Sequence, residues 1–436
     1  MIFSPVFQGK RFAVLGLGKA GLPAAAALAA MGAEVFAWDD SAPAREAAPG
    51  LTLKLPSEIG LKLDALVLSP GIAHRLPKPH AQAEWAVQNQ VPILTDAELL
   101  FQAVRGSGSA AKFAGITGTN GKSTTTALLA HILEVAGIPN AAGANLGPAA
   151  LSLPLLPDSG VYVLEMSSYM LERIATLRFD VAAMLNLSPD HLDRHGDMAG
   201  YQAAKRQIFA RQDASCAAVV GIDDAESRAM ADWLESRPGR LVRISGKDFC
   251  ACGAKGLPGE HNAQNAYAAS EMARALGVTE AAIAKGITTY PGLPHRQAEI
   301  AEIGGVKFID DSKATNADAA GRAMGCYEQF IWIAGGVSKA GGVESLEALF
   351  PRIAKAFLIG RDAPDFAATL SRHGVANDVV GRLEEAVPAA FAEARAKGIN
   401  VVLLSPACAS FDQFKSFEHR GEVFAALVSA LHGEPA

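Results

Sequence analysis

The chain has 436 residues, half of them apolar and 19% charged, with a net charge of −6 and a pI near 6.0. That length exceeds a single hydrophobic core and implies two or three domains, while the acidic balance excludes a sequence-independent nucleic-acid footprint, which needs a basic face. The five cysteines, at positions 216, 250, 252, 326 and 408, form no disulfide framework or finger-spaced zinc site, and free thiols suit a reducing cytosol.

The N-terminal run "MIFSPVFQGKRFAVLG" has no basic segment ahead of a long apolar one, so no signal peptide is expected. "RFAVLGL" (11–17) reads as a strand, 20–32 as a helix and "AEVFAWDD" (33–40) as the next strand. The Ala-rich helix is interrupted by Gly21, Pro23 and Gly32, which marks it as buried rather than membrane-spanning. "GLGKAG" (16–21) satisfies the dinucleotide-fold turn, with Asp39 and Asp40 downstream where such a fold places an acidic residue. NAD is the usual reading of that turn, another nucleotide pyrophosphate is an alternative, and close helix–strand packing without a ligand explains its glycines equally well. "DALVLSPG" (64–71) repeats the strand-then-glycine form. A helix over 96–104 leads to a small, flexible linker at 105–112.

"FAGITGTNGKSTTT" (113–126) carries the strongest chemical signal. A strand that ends in Gly118-Thr119-Asn120-Gly121 and turns into a helix aims several backbone N–H groups, and the helix dipole, at one point. Lys122 adds a charge for terminal phosphates and Ser123 a hydroxyl for Mg²⁺, with Thr124 following. The strict phosphate-loop pattern fails at Ile116, and the competing reading is a glycine turn beside an exposed lysine. Further strands are expected near 161–166, 181–187 and 215–220, with a helix at 262–276. Two of them end in acidic residues: Glu165 in "VYVLEMSSY", and Asp190, His191 and Asp193 in "LNLSPDHLDRH". Parallel strands would put these on the same edge as the phosphate loop, where a carboxylate suits a divalent ion bridging phosphates. A capped, solvated turn is the plainer alternative. His191 and His195 are four apart but lack the Glu of a zinc H-E-x-x-H helix. Lys205, in "YQAAKRQIF", is indistinguishable from a surface lysine. Asn262 and Asn265 can share one helix face and read a base edge, although Asn262 could simply cap the helix.

A second linker, "TYPGLPHR" (289–296), precedes a hairpin turned at Gly304-Gly305 and strands near 330–334, 356–360 and 400–405. "DDSKATN" (310–316) and "IAGGVSKAGG" (333–342) each follow a strand and offer a lysine, Lys313 or Lys339. "LLSPACASFDQFKSFEHRG" (403–421) adds small residues, phenylalanines, Asp412 and Lys415. Alternating strands and helices throughout give an α/β chain of three domains: an N-terminal Rossmann-like domain (1–106), a central P-loop-type ATPase domain with a mostly parallel sheet (107–293) and a C-terminal Rossmann-like domain (294–436).

In combination, "GLGKAG", "SPGI" (69–72), "GITGTNGKSTTT", "GANLG" (143–147), "LEMSSY", "SPDHLDRH", "YQAAK", "LPGEHNAQN", "GLPHR", "DDSKATN" and "LLSPACASFDQF" resemble the Mur ligase family of bacterial cell-wall synthesis. The last blocks are similar to its D-glutamate-adding branch. The resemblance implies an ATP-dependent amide ligase that phosphorylates the carboxylate of UDP-N-acetylmuramoyl-L-alanine and transfers the acyl group to D-glutamate. It further implies that Lys122 stabilises the γ-phosphoryl, that Ser123 and Glu165 hold one Mg²⁺, and that His191 helps to hold a second beside Lys205, which would be carbamylated. Gly118 to Thr124, Asn262, Asn265, Arg296, Asp311 and Lys313 would bind ATP, with His295 beside Arg296. Gly18, Lys19, Asp39, Ser69, Gly71 and Asn145 would bind the UDP-sugar, and Thr315, Lys339, Ser410 and Phe417 the amino acid. "WDDSAPAR" departs from the Asp-Thr-Arg run expected at the uracil loop, and Lys19-Ala20 replaces a Leu-Thr pair. A cytoplasmic monomer without a membrane span is expected. The alternative is another Mur-type or folylpolyglutamate-type ligase for a different amino acid; a dehydrogenase would rest on "GLGKAG" alone. A guanine-reading N-K-x-D and the diaminopimelate branch's D-N-P-R are both absent from the sequence.

Overall fold

The computed structural model describes residues 4–251, 253–254, 256–339 and 341–431. Three main sheets alternate with helices, as the sequence pattern requires. The chain divides into two compact units, one of residues 1–253 with 262–290, the other of residues 254–261 with 291–436.

In the first unit, five parallel strands lie in the order Thr52–Leu53, Glu34–Trp38, Arg11–Leu15, Ala65–Leu68, Ile93–Leu94. The connections wind one way from Arg11–Leu15 and the other way from Ala65–Leu68, so a crevice opens between the C-terminal ends of those two strands. The glycine turn fills its floor. Gly16 has φ +90°, and a Cβ there would meet Ser69 Oγ at 2.6 Å, so a side chain is excluded on both conformational and steric grounds.

The second sheet is also parallel, ordered Arg240–Ile244, Ala217–Gly221, Val181–Met184, Lys112–Thr117, Val161–Glu165, Asn140–Ala144. Its central strand is Lys112–Thr117, and the phosphate loop leaves that strand's C-terminal end for the helix Lys122–Val135. One apolar cluster, from Phe7 to Leu234, joins this sheet to the first, which explains why the two form one compact unit. The expected linker at 105–112 shrinks to a few residues, because the helix Asp96–Gly106 runs two residues further and the next strand begins at Lys112.

The second unit has a six-stranded sheet ordered Ala298–Ile303, Val306–Asp310, Val401–Leu404, Phe330–Gly335, Ile353–Ile359, Asn377–Gly381. Only its first pair is antiparallel, turned at Gly304 (φ +57°) and Gly305 (φ +79°), the left-handed pair that a two-residue hairpin needs. Cys216, Cys326 and Cys408 are free thiols, but Cys250 is disulfide-bonded, which corrects the expectation of free thiols at that position; Cys252 lies outside the described residues. Among the described residues, no helix is long and apolar enough to cross a membrane.

Candidate active site

Two cavities lie along the carboxyl ends of the first unit's strands. The larger, about 450 Å³, is lined by Gly16, Gly18, Lys19, Asp39, Ser69 and Asn145, among others. It therefore gathers five of the six residues expected to bind the UDP-sugar. Its carboxylates are already engaged. Asp39 accepts from the amides of Leu17 (2.7 Å) and Ser41 (2.8 Å), which ties the glycine turn to the end of its neighbouring strand. Asp40 accepts from Trp38 Nε1 at 3.2 Å and meets His80 Nε2 at 2.9 Å, and the hydrogen bond to His80 lowers its pKa despite partial burial. Asp39 thus shapes the turn rather than presenting a free oxygen.

The smaller cavity, about 290 Å³, collects Lys122, Asn145, Asp190, His191, Tyr201, Lys205 and Gly71. Four of the sequence blocks they come from follow strands that are neighbours in the second sheet, and Gly71 joins them from the loop after Ala65–Leu68 of the first. Gly121, at φ +84°, starts the phosphate-loop helix, and a Cβ on it would lie 2.2 Å from Asn265 Oδ1. Thr125 Oγ1 donates to that same oxygen at 3.4 Å, and Asn265 Nδ2 donates to Asn262 Oδ1 at 2.9 Å. The two asparagines therefore pack behind the loop as a linked pair, and Asn262 lies inside the helix Glu260–Ala275 rather than at its cap. Thr119 and Asn120 spend their backbone N–H groups on Asn186 (2.9 and 2.8 Å), leaving the first-turn amides of the helix as the anion-facing donors. Lys122 Nζ donates to the carbonyls of Gly118 and Thr119, and Ser123 and Thr124 are buried at the helix start.

Lys205 is the largest departure from its plain sequence reading. It is 1% exposed, and its Nζ donates to Thr117 Oγ1 (3.1 Å) and Gly118 O (2.9 Å) while lying 4.8 Å from the Tyr201 ring centroid. Burial, helped by the nearby Lys122 charge and only partly offset by Asp190 and Glu165, drives its pKa well below the usual lysine value. A neutral amine at this position is a nucleophile, which is the form that carbon dioxide carbamylates. Burial also lowers the pKa of His191, a left-handed residue (φ +54°) whose Nε2 lies 3.3 Å from Asp190.

Glu165 is 2% exposed. Its Oε1 accepts from Asn145 Nδ2 at 2.5 Å, while its buried Oε2 has no hydrogen-bond partner among the described residues. A buried carboxylate oxygen without a donor is costly, and a hard cation is a natural partner for it. Among the described residues, no three His, Cys, Asp or Glu side chains form a closed metal cage, and Mg²⁺ on phosphates does not need one. The two histidines four apart do not act together: Tyr169 packs against both rings, and His195 bonds to Ser168 Oγ (2.9 Å) and Glu172.

In the second unit, His295 (φ +59°) pairs with Asp310 at 2.7 Å, and the hydrogen bond raises its pKa. Asp311 is 4% exposed and accepts from Ser405 Oγ at 2.7 Å; burial moves its pKa from the ordinary 3.8 to about 7. Lys313 Nζ lies over Phe417 at 5.5 Å, Ser410 is buried, Arg296 and Thr315 are half-buried, and Lys339 is exposed. The sequence reading missed Tyr201, which precedes Lys205 by one helical turn, and Tyr169; the i, i+4 spacing could have signalled the first.

The Mur ligase middle domain matches residues 116–255. The UDP-N-acetylmuramoylalanine–D-glutamate ligase of Paramagnetospirillum magneticum is 50% identical, covering 99% of both chains; that of Caulobacter vibrioides is 45% identical, covering 98% of this chain and 97% of its own. The chain belongs to the Mur ligase family. The UDP-N-acetylmuramate–alanine ligase of Thermotoga maritima shares the Mur ligase fold at 17% identity, with a TM-score of 0.60 over 97% of this chain and 99% of its own. Escherichia coli FolC, solved with ADP, does so at 18% identity and a TM-score of 0.55 over 78% of this chain and 94% of its own. Within this Mur ligase, the phosphate loop, Glu165, His191 and Lys205 all fall inside the matched middle domain.

Proposed function

We propose that this chain is the ligase that adds D-glutamate to UDP-N-acetylmuramoyl-L-alanine, converting ATP to ADP and phosphate. The observation that carries the reading is the smaller cavity, where a phosphate-loop lysine shares the lining with the buried Lys205 and the exposed His191, with the buried, half-satisfied Glu165 close by. The names of relatives that match along nearly the whole chain support the choice of substrates.

The alanyl carboxylate attacks the γ-phosphorus, the bond to ADP breaks, and an acyl phosphate forms. Lys122 holds the phosphoryl charge as it shifts, and the helix N-terminus receives the phosphate chain. The amine of D-glutamate then attacks the acyl carbon; phosphate leaves, and the nitrogen gives up its proton as the amide forms. Two Mg²⁺ ions, when bound, would neutralise phosphate charge. Ser123 and Glu165 would hold one, and His191 with a carbamylated Lys205 the other. Carbamylation would convert a buried amine, whose protonation burial and Lys122 disfavour, into an anionic oxygen ligand that attracts the Lys122 charge.

Gly18, Lys19, Ser69, Gly71 and Asn145 take the UDP-sugar, with Asp39 holding the turn. Asn262, Asn265, Arg296, Asp311 and Lys313 take ATP. Thr315, Lys339, Ser410 and Phe417 take glutamate, Lys339 meeting a carboxylate. We assign these tasks to domains 1–106, 107–293 and 294–436 of a cytoplasmic monomer. The test is ADP release with each substrate omitted in turn: release should require UDP-N-acetylmuramoyl-L-alanine, Mg²⁺ and D-glutamate together. Equal turnover with L-alanine or diaminopimelate would assign another branch, and turnover on a folate would assign the folylpolyglutamate-type reading.

A further inference from the structure

Both cavities share a wall that neither glycine turn supplies. It is the loop 69–74, which leaves the strand Ala65–Leu68, gives Ser69 and Ile72 to the larger cavity and Gly71 to the smaller, and places Pro70 in both. This loop has little regular hydrogen bonding of its own, and a buried arginine supplies it. Arg173, 2% exposed, follows the short helix Ser168–Leu171. Its Nη1 donates to Leu68 O and Ser69 O, each at 3.0 Å, and its Nη2 to Ile72 O at 2.6 Å. Its Nε and Nη2 reach His74 Nδ1 at 3.4 and 3.3 Å. His74 can accept those bonds because burial and the Arg173 charge hold it neutral, with a pKa near 4.

Arg194 serves a further carbonyl of the loop. Its Nη1 donates to Gly71 O at 3.1 Å, while its guanidinium lies 4.4 Å from the Tyr169 ring that packs on His191. The planar fork of an arginine can fix several carbonyls at once, whereas a lysine is a single mobile point. Burying such a cation without a directly bonded carboxylate is an expensive way to fill space. It is a direct way to lock a loop from the first sheet against the residues that carry the second sheet's histidine and tyrosines.

Resting on the ligase reading above, we infer that Arg173 is a positioning residue: by clamping loop 69–74 it sets the distance from the nucleotide-binding turn to the phosphate loop, so that the sugar-linked carboxylate arrives in line with ATP. The residue touches no reacting atom. Its effect is therefore selective for the substrate that spans both cavities.

Steady-state kinetics of the full chain, with Arg173→Met and Arg173→Lys, test this. KM for UDP-N-acetylmuramoyl-L-alanine should rise about tenfold or more in both, with KM for ATP changed less than about twofold. Millimolar guanidinium should recover part of the loss in Arg173→Met and leave the wild type unaffected. Parallel rises in both KM values, or unchanged values, would overturn the inference. If Arg173→Met is too unstable to assay, Arg173→Lys must show the same split on its own, and its absence there counts against the inference. A wild type that turns over ATP without needing the UDP-sugar would instead overturn the ligase reading, which is a distinct outcome.

Discussion

The two glycine turns of the first unit are built alike and equipped differently. Each follows the C-terminal end of a strand at the point where its sheet reverses winding, and each starts a helix. At Gly16–Gly21, the adjacent polar groups are committed to one another: Asp39 to two amides, Ser69 Oγ to Gly16 O at 2.9 Å. At Gly118–Lys122, the neighbours are a carboxylate with an orphaned oxygen and a lysine whose charge burial opposes. A turn with satisfied neighbours can bind. A turn flanked by uncompensated groups is poised for a metal and for chemistry, because its surroundings gain most when ligands arrive.

Substitutions that break this contrast should differ in kind. Lys122→Ala should cost the most, about 10³-fold in kcat, because it removes the charge proposed to meet the transferring phosphoryl. Lys205→Ala should lose about 10²-fold and regain activity when a short carboxylate is added, which a single-turnover assay with and without acetate would read. Wild-type activity in that variant without acetate would exclude the carbamate. Asp39→Ala, at the other turn, should raise KM for the UDP-sugar about tenfold with kcat nearly intact, since only the shape of a binding turn is lost.

A different kind of effect concerns the stability of the second unit. Asp311 has its folded pKa raised from 3.8 to about 7 by burial, so the folded state retains a proton that the unfolded chain releases. Its contribution is complete below about pH 4 and fades as pH rises through 7. Asp311→Asn should therefore flatten the fall in unfolding free energy between those pH values, by roughly 2–4 kcal/mol, measured by urea titration.

The sequence made the turns legible because only glycine tolerates their backbone and because strand, loop and helix follow one another without a gap. Edge strands were harder to see. Asn140–Ala144 is "NAAGA", with no β-branched residue, and Asn377–Gly381 and Arg240–Ile244 are short and partly exposed. The expected strand at 181–187 stops at Met184, where residues 185–191 turn toward the phosphate loop. Within the site, Glu165 and His191 could be placed by their strand ends. The burial of Lys205 could not, because it depends on what the adjacent strand and Tyr201 put around its helix. Arg173 left no sequence signal, since its partners are carbonyl oxygens, which any residue supplies. The spacing of His191 and His195 suggested a joint role that the Tyr169 ring between them prevents.

In the proposed reaction the phosphoryl group of ATP passes to a carboxylate before the amide forms. Running the complete reaction with UDP-N-acetylmuramoyl-L-alanine whose alanyl carboxylate carries heavy oxygen tests it directly. Mass analysis of the released inorganic phosphate should find one heavy oxygen transferred per turnover; phosphate with none, at full amide yield, would contradict the account.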